Sequence, residues 1–418
     1  MDQFVIEGGA TLRGEIPVSG AKNAALPALA AALLTEEPVV LHRIPRVRDL
    51  ATMANLLRHT GASVDTDGET LRIEARNLTH PEAPYETVKT MRASSLVLGP
   101  LVARCGRARV SMPGGCAIGT RPIDLHILGL EGLGARVTQT HGYIEAEAAG
   151  GLEGRKVTFG RITVTGTEDL LMAAVLARGT TVLENAAQEP EVQDLAAMLT
   201  KMGARIAGAG TPTITIEGVE RLHGTEHTII PDRIEAGTFL IAGALAGEDL
   251  AITGCDPAHL DALLEKMTAC GINLKTGPDS VTVSRSPGFR AVDMTTKEHP
   301  GFPTDLQAQY MALMTQADGI SLVTETIFEN RFMHVPELMR MGASIRTDGR
   351  QAIVAGPRQL SGAQVMSSDL RASASLVLAA LVARGTSIVD RVYHIDRGYE
   401  AIEQKLAAAG ARISRVRG

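Results

Sequence analysis

Val192-Gln193-Asp194-Leu195-Ala196-Ala197-Met198-Leu199-Thr200-Lys201-Met202-Gly203-Ala204-Arg205-Ile206 decides how this chain folds. Residues 192–202 read as an amphipathic helix, with apolar side chains returning on one face. Gly203 falls where a helix ends in left-handed backbone, and the aliphatic residue after it starts a strand. The same signal appears at Gly61-Ala62-Ser63-Val64, Gly134-Ala135-Arg136-Val137, Gly271-Ile272-Asn273-Leu274, Gly342-Ala343-Ser344-Ile345 and Gly410-Ala411-Arg412-Ile413. Successive copies lie 68–73 residues apart.

Upstream of each signal the grammar repeats. An Ala- and Leu-rich helix, such as Leu170 to Leu176, is apolar all round and so expected to be buried on most sides. A short strand follows, for example Thr180 to Asn185 or Thr386 to Asp390, and then the amphipathic helix. The unit reads β-α-β-α-β, give or take a strand. Six such units predict an α/β protein of two pseudo-symmetric halves, three units in each, with a ligand cleft between domains.

The bulk numbers agree. The chain has 418 residues, 44% of them hydrophobic, enough for two cores. Aromatics are only 3% and tryptophan is absent, so the cores rest on aliphatic residues and methionine. A net charge of −6 argues against a nucleic-acid surface. The first residues lack a basic region and an apolar run, and the Ala24 to Leu34 stretch is short and broken by Pro27, so neither a signal peptide nor a membrane span is expected. Cys105, Cys116, Cys255 and Cys270 show neither zinc spacing nor C-x-x-C pairing, and no H-E-x-x-H occurs, so reduced thiols in a cytoplasmic protein without a metal are expected.

One loop stands apart. Pro113-Gly114-Gly115-Cys116-Ala117-Ile118-Gly119-Thr120-Arg121-Pro122-Ile123-Asp124-Leu125-His126 puts a thiol among three glycines, with an arginine and a histidine close behind. It is not a P-loop, because Thr120-Arg121 stands where Lys-Ser/Thr is needed, and Cys116 occupies the second glycine of a dinucleotide fingerprint. From these residues alone Cys116 is either a reactive thiol favoured by nearby cations or a small side chain filling a turn.

The helix starts carry a second signal. A helix N-terminus prefers acids, and Glu168, Asp169, Glu235 and Asp305 obey that rule. Lys22, Arg92 and Arg371 break it at equivalent places in the repeat. Arg121, Arg331 and Arg397 lie in polar, turn-rich segments suited to gripping phosphate or carboxylate. Together they point to a substrate with several negative charges.

The stretches Ser19 to Pro27, Pro113 to His126, Phe302 to Gln307, Glu329 to Phe332, Asp369 to Ala372 and His394 to Tyr399, in that order, resemble the UDP-N-acetylglucosamine 1-carboxyvinyltransferase family of enolpyruvyl transferases. The resemblance runs from Phe4 to about Val416. It implies an inside-out α/β barrel pair with a discontinuous domain, residues 1–20 joined to 231–418, and a second domain, 21–230, that carries the Cys116 loop. It also implies addition–elimination that moves the enolpyruvyl group of phosphoenolpyruvate to the 3-hydroxyl of UDP-N-acetylglucosamine, with no metal or organic cofactor. That reaction is the first committed step of peptidoglycan synthesis.

Residue roles follow from the resemblance alone. Cys116 is the general acid toward C3 of phosphoenolpyruvate, with a covalent phospholactoyl adduct at the same sulfur as a further implication. Lys22, Asn23, Arg121 and Arg397 grip phosphoenolpyruvate, and Arg331 and Arg371 extend the cationic patch. Arg92, Arg121, Pro122, Ile123, Asp124, Leu125 and Ile327 contact the UDP-sugar. Asp305 takes the sugar hydroxyl proton, with Asp369 the alternative base. Where some members place a lysine for the nucleotide phosphates this chain has Arg161, which either substitutes or leaves those contacts missing. Two rival readings are the sister transfer to shikimate 3-phosphate and a silent protein that binds UDP-sugar as a regulator. The sister enzymes lack this cysteine loop and run Lys-Ser where this chain has Lys22-Asn23.

Overall fold

A computed structural model describes residues 2–112 and 123–417, and in it the six glycine signals end six helices. Gly61, Gly134, Gly203, Gly271, Gly342 and Gly410 take left-handed backbone, with φ from +87° to +108°. Each closes its helix with the same pair of hydrogen bonds. At the third, the Gly203 N–H donates to the Thr200 carbonyl and the Ala204 N–H to the Leu199 carbonyl. At the sixth, Gly410 donates to Ala407 and Ala411 to Leu406. The pairing satisfies carbonyls that a helix end otherwise leaves open.

The strands form six four-stranded sheets on one plan. In the third repeat Lys156–Thr158 pairs parallel with Thr180–Glu184 after a crossover through helix Val164–Ala174. Helix Pro190–Lys201 then leads into Arg205–Ala207 and Thr213–Glu217, an antiparallel hairpin whose second strand also pairs with Thr180–Glu184. The repeat is therefore β-α-β-α-β-β, one strand longer than the motif read from the sequence. The extra strand follows tight turns at Asp67-Gly68, His141-Gly142 and Asp348-Gly349, where Gly68, His141, Gly142 and Gly349 all have positive φ.

The chain divides into two compact units. Of the described residues, one is built from the chain up to Ser19 and from Pro231 onward, the other from residues 20–112 and 123–230. In the first unit the N-terminal segment serves two sheets. Gln3–Glu7 lies between Thr386–Asp390 and Arg412–Val416, taking the hairpin position of the sixth repeat. Leu12–Pro17 pairs parallel with Gly247–Thr253 as the edge strand of the fourth. In the second unit Thr225–Thr228 returns from the end of the third repeat to pair parallel with Val39–His42 of the first.

Within each unit the apolar helices sit inside and the sheets face outward. Helices Arg233–Ala246, Gln307–Met314 and Leu370–Val382 pack on one another in the first unit, and Leu98–Cys105, Val164–Ala174 and Lys22–Ala31 pack together in the second. Leu170 through Val175 are entirely buried, as their all-round apolarity requires. Strand Thr180–Glu184 alternates buried and accessible residues, so its sheet has one dry and one wet face. Each unit has its own apolar core. Proline shapes one helix start. Pro100 has no N–H to offer the Leu96 carbonyl, and the chain runs as a 3-10 helix over Arg92–Val97 before turning α-helical over Leu98–Cys105.

Candidate active site

In the first unit three segments distant in sequence meet at one carboxylate. Asp305 lies in the short turn Thr304–Leu306 that opens helix Gln307–Met314. Its Oδ1 accepts from Arg331 Nη2 at 2.8 Å, and its Oδ2 accepts from Arg371 Nε and Nη2 at 3.2 and 3.0 Å. The side chains of Arg331 and Arg371 are only 4% exposed, whereas Asp305 keeps 26% of its surface. The Nη1 of each arginine is buried and finds no hydrogen-bond partner among the described residues. Buried guanidinium donors without acceptors are costly.

Neighbouring groups hold the arginines. Burial opposes the charge on Arg371, yet Asp305, then Tyr399 and Asp232, raise its pKa above the ordinary arginine value. The Arg371 guanidinium lies 5.3 Å from the Tyr399 ring centroid, and that of Arg331 lies 5.1 Å from Phe328. The Tyr399 hydroxyl is itself held by Thr238 at 2.9 Å and by Gln309 Nε2 at 3.1 Å. Asp369 caps helix Leu370–Val382, its Oδ1 accepting from the Arg371 and Ala372 N–H groups at 2.9 and 3.0 Å. That cap explains why a cation tolerates the helix start. Asp369 meets the backbone donors while the Arg371 side chain turns to Asp305.

His334, beside this cluster, is 1% exposed. Burial brings its pKa down to about 4, Arg331 pushes the same way and Asp369 opposes both. His394 is lowered too, by burial first and then by Arg397, with Asp369 again opposing. Asp369 and Arg397 therefore both lie within electrostatic reach of His394. Arg397 itself ends the helical turn Val392–Arg397 and is half-buried.

In the second unit Lys22 opens helix Lys22–Ala31 and is buried, its Nζ donating to Asp49 Oδ2 at 3.2 Å. Asn23 beside it is half-buried. That helix packs against the 3-10 turn that Arg92 begins. Ile123 is buried just before helix Asp124–Gly132, Asp124 is exposed and Leu125 packs against the core. Arg161 Nη2 meets Asp124 Oδ1 at 3.3 Å, both side chains being about half exposed or more, at 61% and 49%. His126 is buried, with Nδ1 3.0 Å from Asp169 Oδ2 and Nε2 3.1 Å from Thr165 Oγ1. Asp169 in turn accepts from the Gly99 N–H at 2.7 Å.

One helix start in this unit departs from the sequence reading. Helix Val164–Ala174 begins earlier than Gly166, with Thr163 as its cap. Glu168 and Asp169 thus lie a turn inside it, fully buried, and burial raises both of their pKa values.

Asp305, Arg331 and Arg371 are thus joined in one cluster, to which Ile327 is tied through a shared carboxylate, Glu325. Lys22, Asn23, Arg92, Ile123, Asp124, Leu125 and Arg161 are distributed over the second unit. Cys116, Arg121 and Pro122 lie outside the described residues. His334, Tyr399, Glu325 and Asp49 were not singled out from the sequence. Each is buried by partners remote in the chain, a placement that local sequence does not record.

A family model described as EPSP synthase (3-phosphoshikimate 1-carboxyvinyltransferase) matches residues 6–406. A protein from Solibacter usitatus named UDP-N-acetylglucosamine 1-carboxyvinyltransferase is 68% identical over 418 residues, covering both chains completely. A protein of the same name from Koribacter versatilis is 64% identical, spanning 100% of this chain and 97% of its own. Among solved structures, the enolpyruvyl transferase NikO from Streptomyces tendae superposes with a TM-score of 0.91 at 28% identity, covering 99% of each chain. Six repeats, a buried arginine pair on one carboxylate and full-length identity at this level all agree: the chain belongs to the EPSP synthase family of enolpyruvyl transferases, together with the UDP-N-acetylglucosamine 1-carboxyvinyltransferases.

Proposed function

We propose that this protein transfers the enolpyruvyl group of phosphoenolpyruvate to the 3-hydroxyl of UDP-N-acetylglucosamine and releases phosphate. A proton adds to C3 of phosphoenolpyruvate while the sugar oxygen bonds to C2, giving a tetrahedral phosphate-bearing intermediate. Loss of a C3 proton and departure of phosphate then leave the enol ether. Both substrates are polyanions that do not cross membranes, which supports a cytoplasmic role at the entry to peptidoglycan synthesis, and through it in cell shape and division. Among the described residues no helix is long and apolar enough to cross a membrane.

The observation that carries this reading is the Asp305 cluster. Two buried guanidiniums share one carboxylate and retain one unsatisfied donor each. An incoming phosphate would engage those donors and draw the arginines partly away from Asp305. Asp305 then becomes free to orient the sugar hydroxyl and accept its proton late in the addition. Charge on the intermediate is met by donors already in place. Lys22, Asn23, Arg121 and Arg397 complete the grip on phosphoenolpyruvate, and Cys116 supplies the C3 proton. Arg92, Arg121, Pro122, Ile123, Asp124, Leu125 and Ile327 hold the UDP-sugar.

The test is phosphate release from phosphoenolpyruvate with each acceptor offered separately. UDP-N-acetylglucosamine is expected to support turnover, and shikimate 3-phosphate is not. Turnover with shikimate 3-phosphate alone overturns the choice of acceptor. Binding of UDP-N-acetylglucosamine without phosphate release identifies a silent binder instead. An epoxide analogue of the donor is expected to label Cys116 and stop turnover, and full activity after saturating treatment contradicts the role of that thiol.

A further inference from the structure

Glu325 follows strand Gly319–Thr324 and is 1% exposed. Its carboxylate accepts four hydrogen bonds. Oε1 takes the Thr296 hydroxyl at 3.0 Å, the Ile327 N–H at 2.8 Å and the Phe328 N–H at 3.1 Å, and Oε2 takes the Thr304 hydroxyl at 2.8 Å. A buried carboxylate is costly unless its lone pairs are met, and here they are met by donors from three separate segments.

Two of those segments enter the reaction cluster. Thr304 immediately precedes Asp305. Ile327 and Phe328 begin the stretch that reaches Arg331, with the Phe328 ring beneath the Arg331 guanidinium. The Thr296 side stays anchored, since the Thr326 N–H donates to Thr296 Oγ1 at 2.8 Å and Thr326 Oγ1 to the Thr296 carbonyl at 2.5 Å. Glu325 thus links the turn that aims Asp305 to the loop that presents Ile327, against a fixed third strand end.

We propose that Glu325 is a positioning residue for the acceptor: it sets the distance between Asp305 and Ile327, the two groups of this unit read as contacting the sugar nucleotide. The proposal rests on the enolpyruvyl-transfer reading above. It separates acceptor from donor. The phosphoenolpyruvate contacts assigned to Lys22, Asn23 and Arg397 do not pass through Glu325, and Arg331 is held separately by Asp305, so loss of the link raises the acceptor's Michaelis constant more than the donor's.

Steady-state kinetics on the full-length protein test it. Thr304→Val keeps the side-chain shape and cuts only the arm to the Asp305 turn. It is expected to raise KM for UDP-N-acetylglucosamine by about tenfold, as for one lost hydrogen bond to a charged group, and to leave KM for phosphoenolpyruvate within about twofold. Glu325→Ala cuts every arm and is expected to do more, whereas Glu325→Gln, which still accepts from both loop N–H groups, recovers most of the difference. Glu325→Ala with Thr304→Val is expected to be no worse than Glu325→Ala alone, because the two changes break the same link. Equal rises in both Michaelis constants, additive effects or an unchanged acceptor KM overturn the proposal. If Glu325→Ala does not fold, Thr304→Val and Glu325→Gln decide it by the same readout. A wild-type protein that releases no phosphate overturns the functional reading and this proposal together, while an active wild type with unaffected variants overturns this proposal alone.

Discussion

Two buried charge clusters stand on the same repeat and carry opposite balances. In the unit built from the chain up to Ser19 and from Pro231 onward, two guanidiniums close on the single carboxylate of Asp305, with buried donors to spare. In the unit from Gly20 to Ile230, Glu168 is fully buried with Glu191, Glu189 and Asp169 near enough to raise its pKa further, after burial itself. The first cluster sits where helix Gln307–Met314 opens, and the second a turn inside helix Val164–Ala174, near the start of helix Pro190–Lys201. The repeat therefore dictates where helix starts converge but not which charge collects there. A surplus of buried donors calls for an anion, whereas a surplus of buried acids is relieved by keeping a proton.

The largest effect that can break this contrast comes from Asp305. Asp305→Ala is expected to lower kcat by more than about a hundredfold, the low end for removing a general base. It also strands Arg331 and Arg371, and breaking a buried pair costs about 3–5 kcal/mol of stability. Asp305→Asn separates the two consequences, because the amide oxygen still accepts from one arginine. The assignment of the base reverses if phosphate release survives in Asp305→Ala and collapses in Asp369→Ala.

The pH dependence of stability sharpens the comparison next, because the two clusters titrate with opposite signs. His334 is held neutral down to about 4 by burial and Arg331. The unfolded chain takes up its proton first, so stability falls as pH drops from about 6.5 to about 4, by on the order of 3 kcal/mol. Glu168 has a raised pKa, so the folded state keeps its proton longer. Its contribution is complete below the ordinary glutamate range and is lost as pH rises through the raised value. Urea midpoints measured against pH are expected to show His334→Leu flattening the fall between about 6.5 and about 4, and Glu168→Gln flattening the fall that begins above the ordinary glutamate range. Identical pH profiles for wild type and both variants would contradict the buried-charge account.

The fold was legible because its signal is chemical and local. Gly61, Gly134, Gly203, Gly271, Gly342 and Gly410 each require left-handed backbone, and the six helix ends they announce are all present. The extra strand of each repeat was harder to see, since Asp67-Gly68 and Asp348-Gly349 are turn signals lying between short strands of mixed polarity. The use of Gln3–Glu7 and Leu12–Pro17 in separate sheets depends on pairings far along the chain, which no local pattern encodes. At the site, Asp305, Arg331 and Arg371 were conspicuous as residues, but their meeting was not. Glu325, flanked by Thr324 and Thr326, reads as an ordinary surface acid until its four donors are placed around it.

A smaller effect separates the two aspartates of the arginine cluster. Asp369 spends its Oδ1 on the N–H groups of Arg371 and Ala372. Asp369→Ala is expected to cost about 1 kcal/mol in thermal or urea unfolding, the usual value of an N-cap, and Asp369→Asn to restore it. A loss several times larger would mean that Asp369 carries more than the cap, through its reach to His334 and His394.

The smallest effect belongs to Arg161 in the other unit. Its ion pair with Asp124 joins two side chains that are 61% and 49% exposed, and exposed pairs contribute roughly 0–1 kcal/mol. Arg161→Ala is therefore expected to leave the unfolding midpoint nearly unchanged. Any role toward nucleotide phosphates has to appear in binding instead. If Arg161 stands in for the missing lysine, the variant weakens UDP-N-acetylglucosamine binding, and the difference from wild type shrinks as salt screens the charge. If it serves only Asp124, the released carboxylate is free to meet the acceptor without a competitor, and affinity is unchanged or slightly higher. Calorimetric titration at two salt concentrations distinguishes these outcomes. A salt-independent loss of affinity contradicts both, because a guanidinium this exposed can act on a phosphate only through a field that ions screen.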